Sequence, residues 1–490
     1  MKKLKFLFAG LLIGLMCTSL FAKGDTYTYN FWDDPEHSPD AYRVSHVMYA
    51  DDLKLDVPLK NPQSVFAWKN HIFVADTDNN RIIELEYTEK KTLVPVRIID
   101  HVNDSPLIGV TTLNKPYDIF VSDEGIMYIA DTDNGRVLKT DYDLNVLFVY
   151  TEPDDPTYEK DKAFLPVKVI ADDKGRVFLL SRNANKGFFK YEYDGTFEGF
   201  YGATKVIISA ADRLWKKIAT EAQKARMQLF VPTEYSNCYM DKEGFIYAVT
   251  KSFEENDLFT GKASPIRRLN ALGNDILIQN GYEYVIGDLQ WGNAAGIVGF
   301  SKITDITVLD NEVYLALDEN RGRIFAYDNQ GYLLFVFGGR GNLDGFFRSP
   351  VALDHIDKDL FVVDSVNATI TVFTPTQYGN LIYKATEQFA VGEYDASAET
   401  WSKVLDLNGN YALAYIGLGK SYLRQKKYKE AMDCFKLKRD GRDYSKAFKY
   451  YRKEWVEAHF GLIVILLLAI VLIPMIVRLI KRIKWEISTL

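Results

Sequence analysis

Two short acidic turns are the first residues whose types and spacing could do chemistry. Asp76-Thr77-Asp78-Asn79-Asn80-Arg81 and Asp131-Thr132-Asp133-Asn134-Gly135-Arg136 begin like a calcium loop of the EF-hand kind. Such a loop closes on a bidentate acid at its twelfth position, and here those positions hold Tyr87 and Tyr142. The spacing therefore predicts Asp and Asn side chains bonding their own turn backbone, with Arg81 and Arg136 pairing neighbouring acids. A second constellation emerges when the chain's repeated segments are aligned. Ser64, Asp118, Lys168, Asn237, Asp305 and Ala352 then fall at one equivalent position. The six histidines are scattered, and no Ser-His-Asp or Cys-His pairing stands out.

The elements that must position these residues are repeats. Pro116 to Asp143 reads PYDIFVSDEGIMYIADTDNGRVLKTDYD, with alternating apolar runs separated by tight polar turns. Related copies start at Pro62, Pro166, Pro232, Ile303 and Pro350, which makes six. A fourth apolar run follows each copy, as at Val146 to Tyr150 and Leu333 to Phe337. Four short strands per copy predict antiparallel blades that cannot bury both faces alone and must stack around an axis. That fold class is mainly β, a six-bladed β-propeller over 27–377, with the aligned position near one mouth of its channel. The stretch Tyr42 to Tyr49 is expected to complete the last blade, since an open end would leave unpaired edges. Between the third and fourth copies, Leu214, Ile218, Ala222, Ala225 and Leu229 recur on one face, which predicts a helical insertion at about 209–229.

The repeats resemble the NHL family. Phe337 to Pro350, FGGRGNLDGFFRSP, matches its glycine-rich linker, and the two acidic turns match its D-x-x-N-x-R turn. The resemblance covers roughly residues 45 to 376. The fourth copy lacks the Asp/Asn turn, and one linker keeps all its glycines. Six-bladed lactonases and related hydrolases are similar in holding a divalent metal with acids and an Asn in such a ring. That likeness implies Asp118, Asn237 and Asp305 as ligands, with oxygen donors that suit Ca2+. However, Ser64 stands where those enzymes contribute a Glu, and Lys168 brings a positive charge into the ring.

After Tyr378 the pattern turns helical. Tyr394 and Tyr428, Ser397 and Ala431, and Trp401 and Phe435 are each 34 residues apart. Tyr415, Leu418, Gly419, Tyr422, Tyr428, Ala431 and Phe435 match the tetratricopeptide (TPR) pattern, so 378–445 resembles TPR-like helical repeats. A juxtamembrane helix is expected at 446–459. Phe460 to Val477 then reads FGLIVILLLAIVLIPMIV, spanning about 27 Å as a helix. This sets a transmembrane helix at 460–480 and, with Arg478, Lys481, Arg482 and Lys484 just beyond, a cytoplasmic tail at 481–490. At the other end Lys2, Lys3 and Lys5 precede an uncharged run to Ala22, the pattern of a signal peptide over 1–22. Met16 before Cys17 does not fit a lipoprotein site.

The formal net charge of -7 is diffuse and argues against nucleic acid. Beyond the signal only Cys238 and Cys434 remain, in different segments, so no disulfide framework is expected. The reading that follows is a single-pass cell-membrane protein with its propeller outside. It binds a protein or glycan ligand through the propeller end, as an interaction or accessory subunit of an envelope complex. Similar signal–NHL–TPR–anchor proteins suggest a transporter-like membrane partner. The alternative is a metal-dependent, lactonase-like hydrolase working in the central channel.

Overall fold

A computed structural model describes residues 26–29, 35–155, 158, 163–182, 184, 186–203, 235–250, 264–279 and 300–489. The expected insertion at 209–229 and signal at 1–22 lie outside them. Two compact units divide the chain: residues up to Tyr383, apart from 29–34, form the first, and those from Lys384 form the second.

Among the described residues of the first unit the strands gather into six mainly antiparallel sheets that follow one another along the chain. Sheet I holds Ser64–Trp68, His71–Asp76, Arg81–Tyr87 and Leu93–Ile99. Sheet II holds Pro116–Val121, Met127–Asp131, Arg136–Thr140 and Val146–Tyr150, and sheet III holds Pro166–Ala171, Val177–Ser181, Phe188–Tyr191 and Phe197–Tyr201. Among the described residues sheet IV has three strands, Asn237–Met240, Ile246–Val249 and Ile266–Leu269. Sheet V is built on Ile303–Val308, Tyr314–Asp318, Arg323–Tyr327 and Leu333–Arg340, extended by Tyr27–Tyr29, which pairs through Tyr27 and Val336. Sheet VI holds Pro350–Ile356, Asp359–Asp364 and Thr369–Pro375, and its fourth strand is Tyr42–Met48 from the start of the chain. The N-terminal strand thus closes the last sheet, and residues more than three hundred positions apart become hydrogen-bonded neighbours.

The sheets pack face to face, and alternation along each strand decides which neighbour a side chain meets. On His71–Asp76, Ile72 and Val74 join Phe361, Val363 and Val372 of sheet VI, whereas Phe73 joins Ile119 and Ile129 of sheet II. Ala130 and Val137 of sheet II then meet Val169 and Leu179 of sheet III, whose Phe178 and Leu180 face Cys238 and Ala248 of sheet IV. Tyr247 and Tyr314 continue the sequence at 5.5 Å between ring centroids, and Phe337 and Phe373 return it to sheet VI at 5.4 Å. The first strand of each sheet touches the first strands of the two neighbouring sheets, with Pro350–Ile356 against Ser64–Trp68. The chain is a β-propeller. Strands buried on both faces explain why they read as near-continuous apolar runs.

The acidic turns are structural keystones. Asp76 Oδ1 accepts from Lys60 N at 2.7 Å, in the loop that enters the sheet, while Oδ2 accepts from Asn79 Nδ2 at 2.8 Å and Arg81 Nε at 2.7 Å. Asp131 repeats this with Asn114 N, Asn134 Nδ2 and Arg136 Nε. The expectation that these acids bond their own turn backbone needs correction: both reach back to the preceding loop, whose otherwise unpaired amide needs an acceptor. Each turn ends on a left-handed residue, Asn80 at φ 55° and Gly135 at φ 62°, which is why Asn and Gly alternate there.

In the second unit, helices Tyr394–Leu407, Ala412–Arg424 and Tyr428–Leu437 pack in succession. Glycines permit the close approach: a Cβ on Gly417 would lie 2.5 Å from the Trp401 ring, and one on Gly419 would lie 2.7 Å from the Phe435 ring. Helix Gly441–Ser488 follows without a break, so the stretches assigned to a juxtamembrane and a transmembrane helix form one 48-residue element. It is long and apolar enough to cross a membrane, and Leu462, Ile465 and Ile470 on it are more than half exposed.

Candidate functional site

The aligned positions sit near the start of each sheet's first strand. Three of them meet. Ser64 Oγ donates to Asp118 Oδ1 at 2.5 Å, and Lys168 Nζ donates to the same oxygen at 3.1 Å. Asp118 Oδ2 accepts from Val169 N at 3.0 Å. Asp118 is fully buried and Lys168 nearly so, and three hydrogen bonds already engage the carboxylate. The cation at this carboxylate is the Lys168 ammonium. Burial acts to lower the Lys168 pKa, but the Asp118 and then the Asp305 carboxylates outweigh it and hold the ammonium above its ordinary range.

The remaining positions do not join that cluster. Asn237 Oδ1 accepts from the amide of the following residue, Cys238, at 2.8 Å. Asp305 accepts from Ile306 N at 2.8 Å and Leu353 N at 2.7 Å. Burial pushes the Asp305 carboxyl up to about 7, against the lowering effects of Lys168 and of those two amides. Ala352 is packed in the core between sheets VI and I. Among the described residues no group of three or more His, Cys, Asp or Glu converges as a metal centre would require.

A different role unites the acids. Asp118 of sheet II caps an amide of sheet III, and Asp305 of sheet V caps an amide of sheet VI. Asp354 of sheet VI completes the pattern by accepting from Ala67 N of sheet I at 2.7 Å. Each bond runs from a buried acid of one sheet to the first strand of the next. Asp354 was not among the sequence candidates, because it lies two residues past the aligned position. Its other oxygen accepts from Thr307 Oγ1 at 3.0 Å, and Thr307 Oγ1 also lies 2.7 Å from His355 Nδ1. Thr307 is wholly buried, so this Thr-His-Asp grouping has no room for a substrate. A third buried cluster surrounds Glu84, which takes His71 at 2.7 Å, Arg97 Nε at 2.6 Å and the Tyr142 hydroxyl. Burial, then Glu84, pushes the Tyr142 phenol up to about 12.

An open feature lies beside the ring. A cavity of about 190 Å3 is lined by Gln63, Asp78, Lys115, Tyr117, Asp133 and Arg182, among others. Gln63 and Tyr117 immediately precede Ser64 and Asp118, so the cavity and the buried ring share one end of the first strands. The Tyr117 hydroxyl donates to Gln63 Oε1 at 2.7 Å, and the Arg182 guanidinium lies over the Tyr117 ring at 4.6 Å. Lys115 faces Asp133 at 3.5 Å.

No family model matches the sequence, and no curated protein matches it either. Several solved structures are similar. A catalytically inactive virginiamycin B lyase from Staphylococcus aureus with quinupristin is 10% identical, with a TM-score of 0.40, over 68% of this chain and 99% of that one. A protein of unknown function from Bacteroides thetaiotaomicron is 11% identical, with a TM-score of 0.41, over 70% and 78%. BamB from Moraxella catarrhalis is 14% identical, with a TM-score of 0.32, over 65% and 86%. No function is taken from these likenesses, and the propeller assignment rests on the strand topology described above.

Proposed function

We propose that the chain is a membrane-anchored, extracytoplasmic binding propeller, acting as an interaction or accessory subunit of an envelope complex. In this reading the first unit is an NHL-type, six-bladed propeller over 27–377, with the three-stranded sheet IV as one of its blades. The TPR-like segment 378–445 is a stalk, and 460–480 crosses the membrane with Arg478, Lys481, Arg482 and Lys484 on the cytoplasmic side.

The observation that carries the proposal is the state of the ring. Asp118, one of the acids at the aligned position, is engaged by Ser64, Lys168 and the Val169 amide, whereas the polar cavity at the same end stays open. A propeller whose inner carboxylates hold its sheets together offers its end surface and loops to a partner.

Two measurements test this. Calcium titration of the full chain in detergent is expected to leave its melting temperature unchanged, and calcium binding that disappears in Asp118→Asn and Asp305→Asn would favour the lactonase-like hydrolase instead. Crosslinking in the native membrane is expected to capture a discrete membrane-protein partner. Recovery of this chain alone would count against the accessory role.

A further inference from the structure

The cavity beside the ring lies where sheet III differs from sheets I and II. In sheets I and II the residue after the keystone Asp is a threonine. Thr77 Oγ1 donates to Pro116 O at 2.8 Å, and Thr132 Oγ1 donates to Pro166 O at 2.6 Å, each tying its sheet to the next. In sheet III the keystone is Ser181, whose Oγ accepts from Leu165 N at 2.9 Å as the aspartates accept from their own entering loops. The next residue is Arg182, where sheets I and II have threonine. A short hydroxyl that ties two sheets together has been replaced by a long cation lying over Tyr117 at the cavity wall.

The charges of the cavity are unevenly satisfied. Lys115 is offset by Asp133 at 3.5 Å. Arg182 forms no ion pair with any described carboxylate, and Asp78 meets no cation among the described residues. One guanidinium and one carboxylate therefore remain, with opposite charge and no charged partner among the described residues, on the walls of a single small cavity. A simple anion would leave Asp78 unanswered, and a simple cation would leave Arg182 unanswered. A sugar would want an open aromatic face, but the Tyr117 ring is covered by Arg182 and its hydroxyl is spent on Gln63. The volume of about 190 Å3 falls below the roughly 300–1,000 Å3 of sites for drug-sized ligands.

We infer that this cavity binds a zwitterion of amino-acid type, with the ligand carboxylate on Arg182 and its ammonium on Asp78. The inference rests on the proposed binding role and supplies that role with a ligand class. The Arg182 guanidinium lies over the Tyr117 ring at 4.6 Å, and its planar fork can take a carboxylate through two parallel hydrogen bonds. Asp78 supplies the complementary acceptor for an ammonium. Gln63, also on the cavity wall, has its carboxamide oxygen held by the Tyr117 hydroxyl.

The test uses the full chain in detergent micelles, titrated calorimetrically with the common free L-amino acids one at a time. At least one is expected to bind, while propionate, ethylamine and glucose bind at least about tenfold more weakly or not at all. Arg182→Ala and Asp78→Asn should each weaken binding by about tenfold or more, and Arg182→Lys should restore part of the loss. Arg182 is exposed and Asp78 partly so, and the ligand-free melting temperature of each variant should match the parent chain. Absence of binding by every amino acid at millimolar concentration overturns the inference, as does binding that neither variant changes. Glucose binding in place of an amino acid also overturns it. Crosslinking separates this inference from the broader proposal: a captured partner with no amino-acid binding sinks the ligand class alone, and loss of both sinks both.

Discussion

Lys168 Nζ stands 3.1 Å from Asp118 Oδ1, one sheet reaching to the next between two aligned positions of the repeat. The ammonium and the Ser64 hydroxyl share one buried oxygen, and the Val169 amide takes the other. Lys168→Ala therefore leaves a buried carboxylate without its counter-charge. The expected loss is about 3–5 kcal/mol of stability, read by chemical denaturation of the first unit's signal. The double variant Lys168→Met with Asp118→Asn should lose less than Lys168→Ala alone, because no uncompensated charge remains.

Asp305 gives the propeller a pH dependence of definite sign. Its folded pKa of about 7 lies above the ordinary value of 3.8, mainly through burial. A raised carboxyl contributes stability that is full below the ordinary value and is lost as pH rises through about 7. Relative to Asp305→Asn, the parent chain should lose a few kcal/mol between about pH 4 and pH 8. Melting temperatures of the two proteins across that range provide the check, and parallel curves would contradict it.

The two aspartates of one acidic turn should behave differently. Asp131 is fully buried and holds Asn114 N, Asn134 Nδ2 and Arg136 Nε, whereas Asp133 is exposed and meets only Lys115, at 3.5 Å. Asp131→Ala leaves the Arg136 charge and the loop amide unanswered, which should cost about 3 kcal/mol or more. Asp133→Ala should change stability by less than about 1 kcal/mol. Equal effects in equilibrium unfolding would refute the keystone role.

The helical unit is sensitive at its glycines. A Cβ at Gly419 would lie 2.7 Å from the Phe435 ring, and one at Gly417 would lie 2.5 Å from Trp401. Gly419→Ala should destabilise this unit by about 1–3 kcal/mol through overpacking, although alanine favours the helix itself. Gly461→Ala, with nothing within 4 Å of its Cβ, should not. Hydrogen exchange over 394–437 would report the loss, with amides of sheets I to III unchanged.

What could be read in the linear chain was whatever depends on near neighbours. Alternation over a few residues and turns such as Asp131 to Arg136 set the strands, and their recurrence implied blades that must stack. The need to close sheet VI with Tyr42–Met48 was legible too, since an open edge is costly for any repeat array. The uncharged run from Phe460 to Val477 and the 34-residue spacing of Trp401 and Phe435 are also local patterns.

The tertiary structure decided the meaning of the polar side chains. Ser64, Asp118 and Lys168 are about fifty residues apart in succession, and alignment could place them at one level but not choose their partners. Asp118, Asp305 and Asp354 turned out to cap amides of the neighbouring sheet, a role set by the distance between two first strands. Asp354 escaped notice because its partner, Ala67, lies 287 residues away. Arg182 was silent for the same reason: its departure from the Thr77 and Thr132 pattern acquires a purpose only when Tyr117 and Asp78 are brought to one cavity. Hydrogen bonds and ion pairs act over about 3 Å. Periodicity fixes which strands form, but only the packing of sheet on sheet brings distant polar atoms within that range.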